Sequence, residues 1–405
     1  MRSRIFAGLL CLVPLHLSAE SAEVFSYVSL PGRVRASNPD LAAARLRIQE
    51  ALGRMKQAGR PANPELETEF EHDSRFREGR LEIGFSQRFP VTGRLQLEKQ
   101  ISLAAVEAAE AEVRDVERRL FAEAREAFVR VLAIRQRREL LKRQGELSEK
   151  LADTSAAAAE KGEGSPLDAG QARLEAARLA TEARKLDAEE AAATGSLKAL
   201  LGMSPSAGVH LSGTLGDPVL PSGGEAIRRP DLDAARLEAK GAGSGIALEQ
   251  AKRREDVEAG VFAAAERSKD APEGLDTEAI VGIRFKLPLP FWNKNEGAID
   301  EAVARKERKD KEIAALTASI RHQAASALAE MEQWSAMIKE LDSKLLPLAK
   351  QQTEQTETAW KAAQGEFQSV LRSREQSLQL AASRVDALRE FHLARVRYEA
   401  AIGHP

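Results

Sequence analysis

Leu81-Glu82-Ile83-Gly84-Phe85-Ser86-Gln87-Arg88-Phe89-Pro90 alternates apolar and polar side chains, and Gly282-Ile283-Arg284-Phe285-Lys286-Leu287-Pro288 echoes it 198 residues later. A period of two marks a strand with one apolar and one polar face. Leu81, Ile83, Phe85 and Phe89 share one face, with Gln87 the exception, while Glu82, Gly84, Ser86 and Arg88 share the other. Val281, Ile283, Phe285 and Leu287 oppose Gly282, Arg284 and Lys286 in the same way. Each strand has an alternating partner upstream: Leu66, Thr68 and Phe70 against Glu67, Glu69 and Glu71, and Val257, Ala259, Val261, Ala263 and Ala265 against their neighbours. Connections at Asp73–Gly79 and Ser268–Asp276 join them in pairs, giving four expected strands of about 7–10 residues.

The echo extends outward. Asn38-Pro39-Asp40-Leu41 recurs as Arg229-Pro230-Asp231-Leu232, Lys161-Gly162-Glu163 as Gln364-Gly365-Glu366, and Leu200-Leu201-Gly202 as Ala401-Ile402-Gly403. The order is kept at offsets of 191, 198, 203 and 201, so a duplication of about 200 residues is expected rather than a short-period solenoid. The division that follows is a signal peptide at 1–19, a first repeat at 20–202, a linker at 203–228 and a second repeat at 229–405. Each repeat reads helix, two strands, long helix, turn, helix. Arg2 and Arg4 precede the apolar run Ile5 to Leu17, and small residues follow, as in a cleaved secretory leader. Cys11, the one cysteine, lies inside that run.

Ala (70), Leu (47), Glu (46) and the 60 Lys+Arg make up over half of the 405 residues, a composition of long helices or coiled coils. The chain has no Pro between Pro90 and Pro166, so one helix is expected over Leu95–Ala159, and another over Glu296–Ala363. Leu316, Ile320, Ala324, Ala327, Met331, Trp334, Ile338, Leu341 and Leu345 step by three and four, a heptad-like seam. Val113, Val116, Leu120, Ala124, Ala127 and Val131 repeat it in the first copy. Pro347 should bend the second long helix, and Gln144-Gly145 stands at the matching level of the first. At the turns, Ser165, Pro166 and Asp168 form a capping box in which Ser165 accepts from the Asp168 N–H. The fold class is therefore mostly α with a small β part.

Two hairpins of strands separated by long helical stretches cannot build a core alone. Their length and their two contrasting faces suit tilted membrane strands. Four strands cannot close a barrel; three chains would supply twelve.

With the duplication in place, the chain resembles the outer-membrane efflux protein family, the TolC-like channels. The resemblance rests on Asn38-Pro39-Asp40-Leu41, Ser86 to Arg94, Leu287 to Gly297, and Gly162-Glu163-Gly164-Ser165-Pro166-Leu167-Asp168. The Pro-Val-Thr-Gly-Arg stretch looks most like the cobalt-zinc-cadmium-type heavy-metal branch. The resemblance implies long antiparallel helical hairpins forming a coiled-coil α-barrel in the periplasm. It also implies a homotrimer with a twelve-strand transmembrane β-barrel in outer-membrane lipid. A periplasmic adaptor protein and an inner-membrane pump would be its partners. Leu81, Ile83, Phe85, Val281, Ile283 and Phe285 are then the lipid-facing strand residues. Gly162, Ser165, Pro166, Asp168, Gly365, Gln368, Leu371 and Arg374 are then the periplasmic tip and adaptor-docking residues. Family members carry acidic residues six and nine positions beyond the second turn glycine; here those places hold Leu371 and Arg374, with Glu366 or Glu375 as neighbours to neutralise the Arg.

No catalytic residue, metal site or cofactor is expected. His72, His210, His322, His392 and His404 lack metal-ligand spacing, and there is no phosphate loop, nucleophile motif or dinucleotide fingerprint. With 60 basic against 62 acidic residues, nucleic acid is not a natural partner. The rival classes are a soluble periplasmic coiled-coil scaffold and the adaptor itself.

Overall fold

The structure, a computed structural model, describes residues 23–162, 164–222, 226–270, 274–362 and 364–404. The leader, Glu163 and the end of the second long helix at Ala363 lie outside the described residues. Among the described residues two compact units emerge, one from residues 23–33, 124–216 and 346–386, the other from 34–123, 217–345 and 387–404.

In the first unit, strand β1 (Glu23–Phe25) pairs in parallel with β4 (Val209–Leu211). Helix α3 (Arg94–Glu160) supplies its later part here and turns at Gly162 into α4 (Pro166–Leu200). Gly162 takes φ +77°, a backbone that costs glycine little. The second hairpin joins α7 (Leu346–Lys361) to α8 (Phe367–Ile402). Leu141, Leu179, Ala183, Leu186 and Leu378 form one core cluster, and Leu151, Ala152, Ala172, Phe367 and Val370 another, so both hairpins share a core.

The Ser165 cap differs in detail from the expected box. Its side chain accepts from the Leu167 N–H at 3.2 Å, and the Asp168 N–H goes to the Ser165 carbonyl. Proline at the first helical position leaves Leu167 as the nearest free donor.

Helix α1 (Leu30–Ser37) runs into the second unit, where α2 (Pro39–Gln57) follows, capped by Asn38, whose side chain accepts from the Leu41 N–H at 2.9 Å. Ala51 packs against Val106 and Ala109 of α3. Helix α5 (Pro230–Ala251) packs against α6 (Glu296–Glu340), with Lys309 donating to Glu238 at 2.6 Å. Strands β2 (Glu65–His72), β3 (Gly79–Phe89), β5 (Val257–Asp270) and β6 (Gly274–Lys286) form one antiparallel sheet in the order β2-β3-β5-β6. The second hairpin is longer than its alternation suggests: β5 has 14 residues and β6 has 13, so most of the expected connection is strand.

A π-helical turn, Leu341–Leu345, follows α6 directly ahead of Pro347. Proline offers no N–H to the preceding turn, and a wider ring relieves the clash its pyrrolidine would make. At Gln144-Gly145 the expected matching weakness is absent; α3 stays helical because no donor is missing there. Helix α4 closes with the Met203 N–H on the Lys198 carbonyl, and α8 with the His404 N–H on the Glu399 carbonyl. Gly202 and Gly403 both take positive φ in these closures, the Schellman arrangement.

Candidate functional site

The sheet has two unlike faces. Cross-strand register places Ile83 opposite Ala263 and Thr68, and Val261 opposite Phe85 and Ile283. Leu66, Phe70, Leu81, Ile83, Phe85, Phe89, Val261, Val281, Ile283 and Phe285 therefore share one face, and all are exposed, Val281 at 83%. A soluble sheet buries such a face against a second layer.

The other face is ionic. Glu82 is only 3% exposed, although it lies on a single-layer sheet. Arg80 donates to it at 2.6 Å, and Arg284 reaches it from the far edge strand. Arg284 continues to Glu67 at 3.1 Å and lies over the Phe262 ring at 5.1 Å. Arg80 also meets Glu266 at 3.8 Å, and Arg88 bridges Glu65 and Glu258. One network thus ties all four strands on that face. Phe262 lies in a trough between Gly84 and Gly282; a Cβ on Gly282 would fall 2.4 Å from its ring.

At the turns, Gly162, Ser165, Pro166, Gly365 and Gln368 are exposed, and Asp168 is half-buried. Leu371 packs against the Leu151–Phe367 cluster. Arg374 is corrected most. Its side chain is 15% exposed and bonded to Glu357 of α7 at 2.7 Å, and it donates to the Leu147 carbonyl at 3.1 Å. The neutralising carboxylate is neither Glu366 nor Glu375. Adjacent residues on a helix point apart, whereas Glu357 faces Arg374 across the hairpin. Beside it, Ser373 is buried and shares a hydroxyl hydrogen bond with Thr356 at 2.8 Å.

Among the described residues no cluster of His, Cys, Asp and Glu could hold a metal ion. His72 stacks on Phe76 at 3.8 Å, and His392 meets Phe391 edge-on. No helix among them is long and apolar enough to cross a membrane.

The family model for outer membrane efflux proteins matches residues 30–203. The cobalt-zinc-cadmium resistance protein CzcC of Cupriavidus metallidurans is 24% identical over 374 residues, spanning 91% of this chain and 84% of its own. The chain is related to the outer membrane efflux proteins. Solved structures agree on the fold of this efflux-protein relative. CusC, described by its folding and transmembrane channel formation, superposes with a TM-score of 0.77 at 16% identity, covering 94% of this chain and 92% of its own. The outer-membrane channel OprN gives 0.74 at 17%, covering 94% and 90%. The outer membrane protein VceC of Vibrio cholerae gives 0.72 at 19%, covering 93% and 96%. The efflux-protein relative thus has the TolC-like fold, mostly helical with a small sheet.

Proposed function

We propose that this chain is the outer-membrane channel of a tripartite efflux system, a passive homotrimeric conduit that carries heavy-metal cations from periplasm to exterior. The observation that carries the proposal is the sheet: one face presents exposed Leu, Ile, Val and Phe side chains, interrupted by Thr68 and Gln87 and, toward the β5 turn, by Arg267, while the other is bound by an ionic network. In this reading the apolar face, including Leu81, Ile83, Phe85, Val281, Ile283 and Phe285, meets lipid, and the ionic face lines water. β2 and β6 are the edges of the sheet, each paired on one side. Edge strands demand a partner, and copies joined β6 to β2 would close a barrel without free edges. Charge supports that join at the helix end alone: the ionic face of β2 carries Glu65, Glu67, Glu69 and Glu71, while that of β6 carries Arg284 and Lys286 near the helix and Asp276 and Glu278 toward its turn. A water-lined conduit binds its cargo weakly and needs no tight metal site; no catalytic step is involved. The cargo class is drawn from the CzcC relative, named for cobalt-zinc-cadmium resistance.

The helical turns would form the periplasmic end that meets the adaptor, with Gly162, Ser165, Pro166, Asp168, Gly365 and Gln368 as the contact residues. Leu371 and Arg374 would support that end from within. The leader at 1–19 would be removed on export. Membrane fractionation followed by native mass spectrometry in detergent tests the proposal. A trimer extracted from the outer membrane is expected; a water-soluble monomer would refute it.

A further inference from the structure

We infer that the loop Leu287–Trp292 is a membrane-interface anchor, seated at the headgroup level of the phospholipid leaflet at the helix end of the sheet; the inference rests on the channel reading above. Trp292 is 95% exposed and Phe291 68% exposed, and the two rings meet edge-on at 6.2 Å. Leu287 and Leu289 beside them are exposed too. Four large apolar side chains in six residues thus stay more than half exposed, and each forgoes most of the gain of leaving water.

The loop is held in place. It leaves β6 directly, and the Phe291 N–H closes a tight turn on the Leu289 carbonyl at 2.9 Å. At its far end Asn295 takes φ +58°, and its amide donates to the backbone carbonyl and to the carboxylate of Glu249, each at 2.9 Å. Left-handed backbone suits Asn better than most residues. The apolar tip is therefore presented from two fixed points.

Its chemistry selects the partner. Leu287 follows Val281, Ile283 and Phe285 at the same two-residue step, so the loop prolongs the apolar face of the sheet. Leu, Phe and Trp are then followed by Asn293-Lys294-Asn295. That order, apolar, then aromatic, then amide and ammonium, matches the layers from acyl chain to phosphate. Indole rings settle at that boundary because one edge is polar and the body is not. β3 also runs toward its helix, and Phe89 and Val91 are exposed at the same end of the sheet. There the sequence continues Thr92-Gly93-Arg94, so the first copy offers a smaller contact.

The chain has three tryptophans, at 292, 334 and 360. The protein with Trp334→Phe and Trp360→Phe, reconstituted in phosphatidylethanolamine–phosphatidylglycerol vesicles, reports on Trp292 alone. The difference between unmodified protein and Trp292→Phe gives the same readout without touching the two partly buried rings. Lipids brominated near the carbonyl should quench Trp292 more than lipids brominated near the chain end. Its quenching by acrylamide should fall several-fold below that of free tryptophan amide. A second variant, Ile283→Trp with all three native tryptophans changed to Phe, reports on the sheet. If that residue is quenched by deep bromines while Trp292 stays open to acrylamide, the anchor is overturned and the channel reading stands. If Trp292 is shielded from acrylamide but not quenched by any lipid, protein covers it and the anchor is overturned. If neither tryptophan is quenched by lipid, the channel reading falls and the anchor with it.

Discussion

Arg374 shows how much one side chain's partner matters. Counted along the sequence, Glu366 and Glu375 are its nearest carboxylates; in the hairpin it is bonded to Glu357, 17 residues earlier. No helical spacing rule reaches that far, so the pairing was hidden in the sequence, although the helix itself was not. Coupling in an Arg374→Ala, Glu357→Ala double-mutant cycle should be about 0.5–3 kcal/mol in urea unfolding of the detergent-solubilised protein. Arg374→Asp should be worse than Arg374→Ala, because it sets a second carboxylate against Glu357. Asp231 carries the clearest pH dependence. Burial pushes its carboxyl up, but the Arg229 hydrogen bonds and charge outweigh that and hold it below the ordinary carboxylate range. Its stabilisation is complete above the unfolded value of about 3.9 and is lost as pH falls through the lower folded value. Asp231→Asn should therefore destabilise at neutral pH. Its deficit should shrink as pH drops below about 4, which urea unfolding at a series of pH values would show.

The strands and helices were legible because each repeats one period over many residues. Alternation located all four strands, and the proline-free stretch located α3 to within one residue at each end. Two features escaped. The neighbours β3 and β5 are joined in register, Ile83 to Ala263, across a gap of 180 residues that no local pattern spans. Pro347 announced an irregularity but not its form, since a kink and a π turn both accommodate a missing donor. Pro347→Ala should restore ordinary helix over Leu341–Leu345, seen as slower amide exchange there; unchanged exchange would mean that packing, not proline, sets the π turn. On the sheet, Ile83→Lys should cost about 2–4 kcal/mol if that face lies in lipid near mid-bilayer. The same change at Thr68, its neighbour on that face, should also destabilise. Glu69→Lys on the ionic face should be tolerated far better in denaturant titrations of the reconstituted protein.

For the whole molecule, the central claim is that the apolar face of the sheet meets lipid while the ionic face meets water. Glu82 is a poor probe of the water side, because Arg80 and Arg284 cover it. Glu69 and Val281 serve better, since both are exposed in the single chain and lie on opposite faces. Any difference between them must come from what surrounds the assembled sheet. The direct measurement is labelling of Glu69→Cys and Val281→Cys, each in a Cys11→Ser background, with a membrane-impermeant maleimide after reconstitution into vesicles. The account predicts rapid labelling at 69 and almost none at 281, with 281 becoming reactive once the protein is unfolded. Equal labelling of both positions in the folded, reconstituted protein would contradict it.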